Sequence, residues 1–78
     1  MEIAFNFVDG KNLIFSNEDC KNGNRLIEEV QMMDLKRWCK NDNPYITLKV
    51  KGDHDYSCEY TLNKHNVTYI KISNCKNV

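Results

Sequence analysis

Alternation of apolar and polar residues with a period of two dominates this chain, and it constrains the fold more than any other feature. Ile3, Phe5 and Phe7 alternate with polar or small residues, a period that is typical of a half-buried strand. Later segments at 13–15, 46–50, 56–62 and 67–73 repeat the pattern. The chain therefore predicts a protein built mainly from one β-sheet.

The first two strands form a predicted hairpin whose register depends on the length of its loop. A two-residue loop at Asp9-Gly10 would send the apolar residues of the second strand away from the face of Phe5. A three-residue loop that starts at Val8, with Gly10 in the left-handed region, brings them to that face. We therefore predict the longer loop. The opposed pairs are then Phe5 with Leu13 and Ile3 with Phe15.

One segment has helical spacing instead, and it predicts a helix from about Asn24 to Lys40. Two acidic residues near its start and three basic residues near its end would interact favourably with the backbone dipole of a helix. Ser16 with Asp19 has the spacing of a capping signal ahead of the helix. The polar run at 41–43, followed by Pro44, ends it.

The helix carries two apolar stripes, which leave two interpretations open. The first stripe consists of Leu26, Ile27, Val30 and Met33. The second consists of Met32, Leu35 and Cys39, with Trp38 between the two stripes. Either the helix is buried on more than one side, or the second stripe is a surface for a partner or for self-association. The second interpretation makes Met32, Leu35, Trp38 and Cys39 the predicted partner interface.

The second half of the chain predicts a three-stranded meander with turns at 52–55 and 63–66. Its apolar residues Ile46, Leu48, Val50, Ile70 and Ile72 would face the helix. We therefore expect a single domain over 1–78 of the α+β class, with the order ββαβββ. Its sheet would be five-stranded and largely antiparallel, with the helix packed on one face.

The opposite face of that sheet offers an alternative function. Aromatic and basic side chains on an open sheet can stack on bases and neutralise phosphates. Acidic and basic residues cancel, with eleven of each, and strong nucleic-acid binders usually show a basic excess. Nucleic-acid or nucleotide binding is therefore disfavoured but kept as an alternative. The residues of this predicted face are Tyr45, Lys49, Lys51, Tyr69 and Lys71.

No spacing in the sequence is typical of a catalytic or metal site. Asp53-His54-Asp55 with Cys58 has suitable residue types, but Asp and His beside Gly are ordinary turn residues. The four cysteines at 20, 39, 58 and 75 include no close pair, so reduced thiols are favoured over disulfides or zinc. We expect no enzyme activity, no metal and no cofactor.

Location and assembly follow from what the sequence lacks. It shows neither a secretory leader nor an apolar run of about 18 residues that could span a membrane. The expected location is the cytoplasm, without membrane association. A core this small leaves only about 3–5 kcal/mol of net stability without help, so we also expect a homo-oligomer, with a dimer favoured.

Three stretches together resemble small ββαβββ proteins of low-GC Gram-positive bacteria and their phages. They are 5–11 (FNFVDGK), 26–29 (LIEE) and 66–72 (NVTYIKI). The resemblance implies an inhibitor of host machinery or defence, of the anti-CRISPR kind, that would act in the host cytoplasm. We therefore predict a small non-enzymatic phage or mobile-element protein that inhibits a host protein by direct binding.

Overall fold

The computed structural model describes residues 1–17, 25–51 and 57–74. In these ranges the chain forms one helix and one six-stranded sheet with the strand order β5-β4-β3-β2-β1-β6. The α+β class and the single helix are as predicted. The elements are β1 (Glu2–Phe7), β2 (Asn12–Ser16), β3 (Arg25–Leu26), α1 (Glu29–Trp38), β4 (Tyr45–Lys51), β5 (Ser57–Asn63), a 3-10 turn (Lys64–Asn66) and β6 (Val67–Ser73).

The first hairpin has the predicted register and loop. β1 pairs antiparallel with β2 so that Phe5 lies opposite Leu13 and Ile3 opposite Phe15. Gly10 has a φ of 87°, which is the left-handed conformation that a three-residue loop requires. Its N–H donates to the carbonyl of Phe7 over 3.0 Å. The glycine in the turn and the need for a single apolar face both favour this register.

The predicted helix start is wrong, because part of that segment is a strand. Arg25 and Leu26 form β3, which pairs parallel with β2 and antiparallel with β4. The helix begins at Glu29 and ends at Trp38. Ser16 belongs to β2 and is buried, so it caps no helix, and Asp19 lies outside the described residues. Pairing on both sides outweighs the helical propensity of this segment.

The sheet has six strands and is partly parallel, which corrects the predicted five-stranded, largely antiparallel sheet. The predicted meander is also wrong in its last step. β4 and β5 pair as expected, but β6 pairs with β1. A register shift between Asn6 and Phe7 brings Val67 opposite Phe7, so Val67 packs against the core instead of sharing a face with Tyr69.

The two edges of the sheet, β5 and β6, are joined by only three residues. A flat sheet would separate edge strands five spacings apart by roughly 24 Å, whereas the link from Asn63 to Val67 reaches about 14 Å at most. The sheet must therefore curl strongly toward a barrel. Two backbone hydrogen bonds hold the link: Lys64 N donates to Pro44 O over 2.7 Å and Val8 N donates to Asn66 O over 2.9 Å.

The concave side of the curled sheet and one face of α1 enclose the core. Phe5 lies at its centre, with ring centroids 5.9 Å from Phe15 and 6.0 Å from Trp38. Burial of such large apolar side chains is the main stabilising term for so small a domain. The buried apolar residues are Ile3, Phe5, Phe15, Ile27, Met32, Leu35, Trp38, Leu48, Val50 and Leu62.

Candidate protein-binding groove

The predicted partner interface lies on the buried side of α1, and the exposed apolar residues lie on its other side. Met32, Leu35 and Trp38 are buried in the core, and Cys39 is half-buried beside it. The exposed apolar residues of α1 are Val30 and Met33. As a set, the four predicted interface residues therefore form no exposed surface. The other interpretation, a helix buried on more than one side, does not hold either, because Val30 and Met33 of the first stripe are exposed.

A groove runs along the exposed side of α1, and all three methionines of the chain line it. It lies between the helix, the start of β1 and the end of β2, and its volume is about 330 Å³. We call it the methionine groove. Its lining residues are Met1, Asn17, Glu29, Met32, Met33, Lys36, Arg37 and Lys40.

The floor of the methionine groove is apolar and adaptable. Met32 is almost fully buried and anchors the groove to the core, whereas Met33 is 58% exposed. Methionine side chains are unbranched and polarizable, so they adjust to differently shaped apolar partners. Packing accounts for Met32, but it does not account for the exposure of Met33 on the same wall.

Positive charge dominates the rim of the groove. Lys36 and Arg37 lie in the last turn of α1 and Lys40 lies just beyond it; among residues 1–17, 25–51 and 57–74, the acidic residue that lines the groove is Glu29, at the start of the helix. Arg37 also forms an exposed ion pair with Asp34 over 3.4 Å. The terminal ammonium of Met1 donates a hydrogen bond to Asn17 Oδ1 over 3.0 Å. An apolar site with this rim favours an acidic ligand.

The end of α1 is closed by a lysine from the link between β5 and β6. Lys64 Nζ donates to the carbonyl of Trp38 over 2.6 Å and also to the carbonyl of Asn41. It lies 4.7 Å from the centre of the Trp38 ring. Because the C-terminal carbonyls of a helix lack partners within the helix, a cation there is favourable.

Cys39 lies directly after the last residue of α1 and is half-buried. Burial raises the pKa of the Cys39 thiol, and the positive charges of Lys64 and Lys40 offset that rise only in part. Cys39 and the exposed Cys58 are both free cysteines. Cys20 and Cys75 lie outside the described residues.

The predicted tyrosine–lysine face is exposed but divided. Tyr45, Lys49 and Lys51 lie on β4, and Tyr69 and Lys71 lie on β6, all with exposed side chains. In the strand order of the sheet, β3, β2 and β1 lie between the two groups. Lys49 also lies 4.0 Å from Glu59 on β5. The predicted residues therefore do not lie on neighbouring strands.

A second cavity, of about 480 Å³, lies beside the loop of the first hairpin. Lys11 and Arg25 are its basic lining residues, with Asp9 near them. Arg25 is already engaged, because its Nε donates to the hydroxyl of Tyr60 over 3.2 Å and its guanidinium lies over that ring. The methionine groove therefore offers the better combination of apolar floor and available cations.

The described part of the chain contains no cluster of metal-binding side chains. Among residues 1–17, 25–51 and 57–74, no group of three His, Cys, Asp or Glu side chains is placed to hold a metal ion. Asp53, His54 and Asp55 lie outside the described residues. No helix within the described ranges is both long enough and apolar enough to cross a membrane.

Comparison with known proteins adds no relative. No protein-family model matches the chain, and neither a curated protein nor a solved structure is significantly similar to it. Sequence spacing alone missed the methionine groove, because no local pattern places Met1 and Asn17, at the end of the first hairpin, beside α1. One signal was present: Met33 and Lys36 lie within one helical turn.

Proposed function

We propose that this chain is a non-enzymatic binding protein that acts in the cytoplasm by direct contact with a partner protein. The observation that carries the proposal is the convergence of all three methionines on one groove with a basic rim. An inhibitor of a host protein, the role implied by the resemblance of the sequence, would work through such a surface. It would occupy a segment that the host protein needs for its own contacts.

The chemistry of the groove defines the partner segment. Its floor accepts a large apolar side chain against Met33, and its rim attracts carboxylates to Lys36 and Lys40. The occupant is therefore an acidic peptide segment with an apolar anchor. Complementary charge at a rim mainly increases the association rate and the specificity, while the buried anchor supplies most of the affinity.

Selection from a random peptide library tests this chemistry directly. The protein is labelled with methyl-13C methionine, so that all three methyl signals report on the groove. We expect selected peptides to be rich in Asp, Glu and large apolar residues, and to shift those signals. Selection of basic peptides, selection of none, or methionine signals that stay in place would contradict the proposal.

Two double variants distinguish the effect of the rim charges on binding from the effect of net charge. Lys36→Gln with Lys40→Gln should weaken binding of a selected peptide about tenfold. Lys11→Gln with Lys51→Gln removes the same charge from exposed sites outside the groove and should leave affinity unchanged. Equal losses in the two double variants would show that net charge, and not the groove, attracts the peptide.

A second matched pair tests the apolar floor. Met33→Gln makes an exposed groove residue polar at similar size and should reduce affinity strongly. Val30→Thr makes the same kind of change at a residue of the same helix that is 69% exposed and does not line the groove. Affinity should survive in the Val30 variant.

A labelled single-stranded RNA tests the alternative function. Binding of this RNA that depends on Tyr45 and Lys51 would favour the nucleic-acid alternative.

A further inference from the structure

Among the described residues, the last strand, β6, forms one edge of the sheet. β6 pairs with β1 along one side, and within the described ranges no strand pairs with its other side. In an antiparallel sheet, every second residue of an edge strand directs its N–H and C=O groups outward. An open edge of this kind can pair with another strand.

The β6 edge has little of the protection that edge strands usually carry. It is seven residues long, contains neither Pro nor Gly, and has a single charged residue, Lys71. Tyr69 is 60% exposed and Ile72 is 41% exposed. The opposite edge strand, β5, differs because none of its apolar side chains is among the large exposed ones of the described residues. Of the two edge strands, β6 is therefore the one with large exposed apolar side chains.

The sequence of β6 is complementary to itself when two copies run antiparallel. Centring the pairing on Ile70 places Ile70 opposite its own copy and Tyr69 opposite Lys71, twice. It also places Thr68 opposite Ile72. Because no like charges meet and each lysine faces an aromatic ring, this register is favourable. Centring on Lys71 would instead oppose two lysines.

We propose that the outer edge of β6 pairs antiparallel with the β6 edge of a second copy of this chain, with the two-fold axis at Ile70. Such an isologous contact closes on itself and gives a dimer. It joins two six-stranded sheets into one continuous sheet. Ile70 and Ile72 lie on the core-facing side of β6, opposite Phe5 and Ile3, so the contact also extends the apolar side of the sheet.

Two substitutions at Tyr69 test both the contact and its register. Tyr69→Lys places a lysine opposite Lys71 at both symmetric positions and should weaken the dimer about tenfold. Tyr69→Glu places a carboxylate there and should preserve the dimer, with an added salt dependence. Both variants remove the same exposed ring, so they differ chiefly in the charge opposite Lys71. Sedimentation velocity over a wide range of concentration gives the dissociation constants.

Each outcome of this experiment decides the proposal. A dimer that Tyr69→Lys weakens and Tyr69→Glu keeps supports it, as do cross-copy contacts between Tyr69 and Lys71 in a half-labelled NMR sample. A dimer that both variants weaken equally overturns the register. A chain that stays monomeric at every concentration overturns the contact. The methionine groove lies on α1, so binding of a selected peptide is measured separately in the same variants.

Discussion

The side chain of Gln31 forms the hydrogen bonds to β4 that a neighbouring strand would otherwise form. Its Nε2 donates to the carbonyl of Lys49 over 2.9 Å, and its Oε1 accepts from the N–H of Lys49 over 2.5 Å. Since β3 is only two residues long, it pairs with β4 at Lys51 alone. The amide of Gln31 takes the place that a longer strand would fill. It thereby fixes α1 against the sheet.

Hydrogen exchange at Lys49 measures this role. In Gln31→Ala the Lys49 amide should exchange about fivefold faster, since one hydrogen bond contributes about 1 kcal/mol. In Gln31→Glu it should stay protected, because a carboxylate still accepts from the Lys49 N–H. The amide of Leu48, in the ladder with β5, is the internal control. Unchanged exchange of Lys49 in Gln31→Ala would contradict the role.

Cys39 gives a second prediction for a single residue. Burial raises its pKa, so its thiolate forms at higher pH than in an unfolded chain. We expect iodoacetamide to modify Cys39 more slowly than the exposed Cys58, with a pH midpoint above the ordinary thiol value. Peptide mapping by mass spectrometry separates the two sites. Equal rates and a normal midpoint would show that the thiol is accessible.

The same shift predicts how stability depends on pH. The folded state holds the Cys39 proton more tightly than the unfolded state does. Its contribution is therefore present below the unfolded pKa and is lost as pH rises through the folded pKa. Cys39→Ala should lack this loss in the alkaline range.

At the scale of the helix, the two faces of α1 differ in what they contribute. Leu35 is fully buried, whereas Val30 is 69% exposed on the same helix. Leu35→Ala should cost about 2–5 kcal/mol of the free energy of unfolding, and Val30→Ala should change it by no more than about 0.5 kcal/mol. Urea denaturation of both variants measures the difference. Equal losses would mean that both stripes are buried in solution.

The hairpin was predictable from sequence, and the helix only in part. Two local requirements, the glycine at position 10 and a single apolar face for Phe5 and Leu13, agree on one register. In the helix, apolar residues lie on both sides, so spacing alone does not decide which side is buried. Leu26 fits the apolar pattern of a helix as well as that of a strand. Its place in β3 depends on Ser16 and Lys51, which are distant in sequence.

At the scale of the whole molecule, the short link between β5 and β6 determines the shape. Turn residues at 63–66 predicted the link, but a local pattern does not reveal which strand β6 will join. The pairing of β6 with β1 becomes possible only because the sheet curls. The methionine groove likewise depends on a contact that no local pattern reveals, the one between the first hairpin and α1. Its residues belong to three elements that the fold brings together.

Lys64 connects that link to the helix, and its removal should affect the whole fold. Lys64→Met keeps an apolar side chain near Trp38 but loses both hydrogen bonds to the carbonyls of α1 and the loop after it. We expect a loss of about 1–3 kcal/mol in the free energy of unfolding. Lys11→Met, at an exposed site of the hairpin loop, is the matched control. A loss equal to that of the control would show that Lys64 does not close the helix.

The position of β1 between β2 and β6 has a consequence for synthesis on the ribosome. The hydroxyl of Thr68 bonds the carbonyl of Asn6, 62 positions earlier in the chain. The nascent chain can form the first hairpin early, but β1 keeps one open side until β6 has emerged. Closure across so long a separation is slow relative to local pairing. During translation, this side of β1 therefore stays open to pairing with other unfinished chains until β6 is in place.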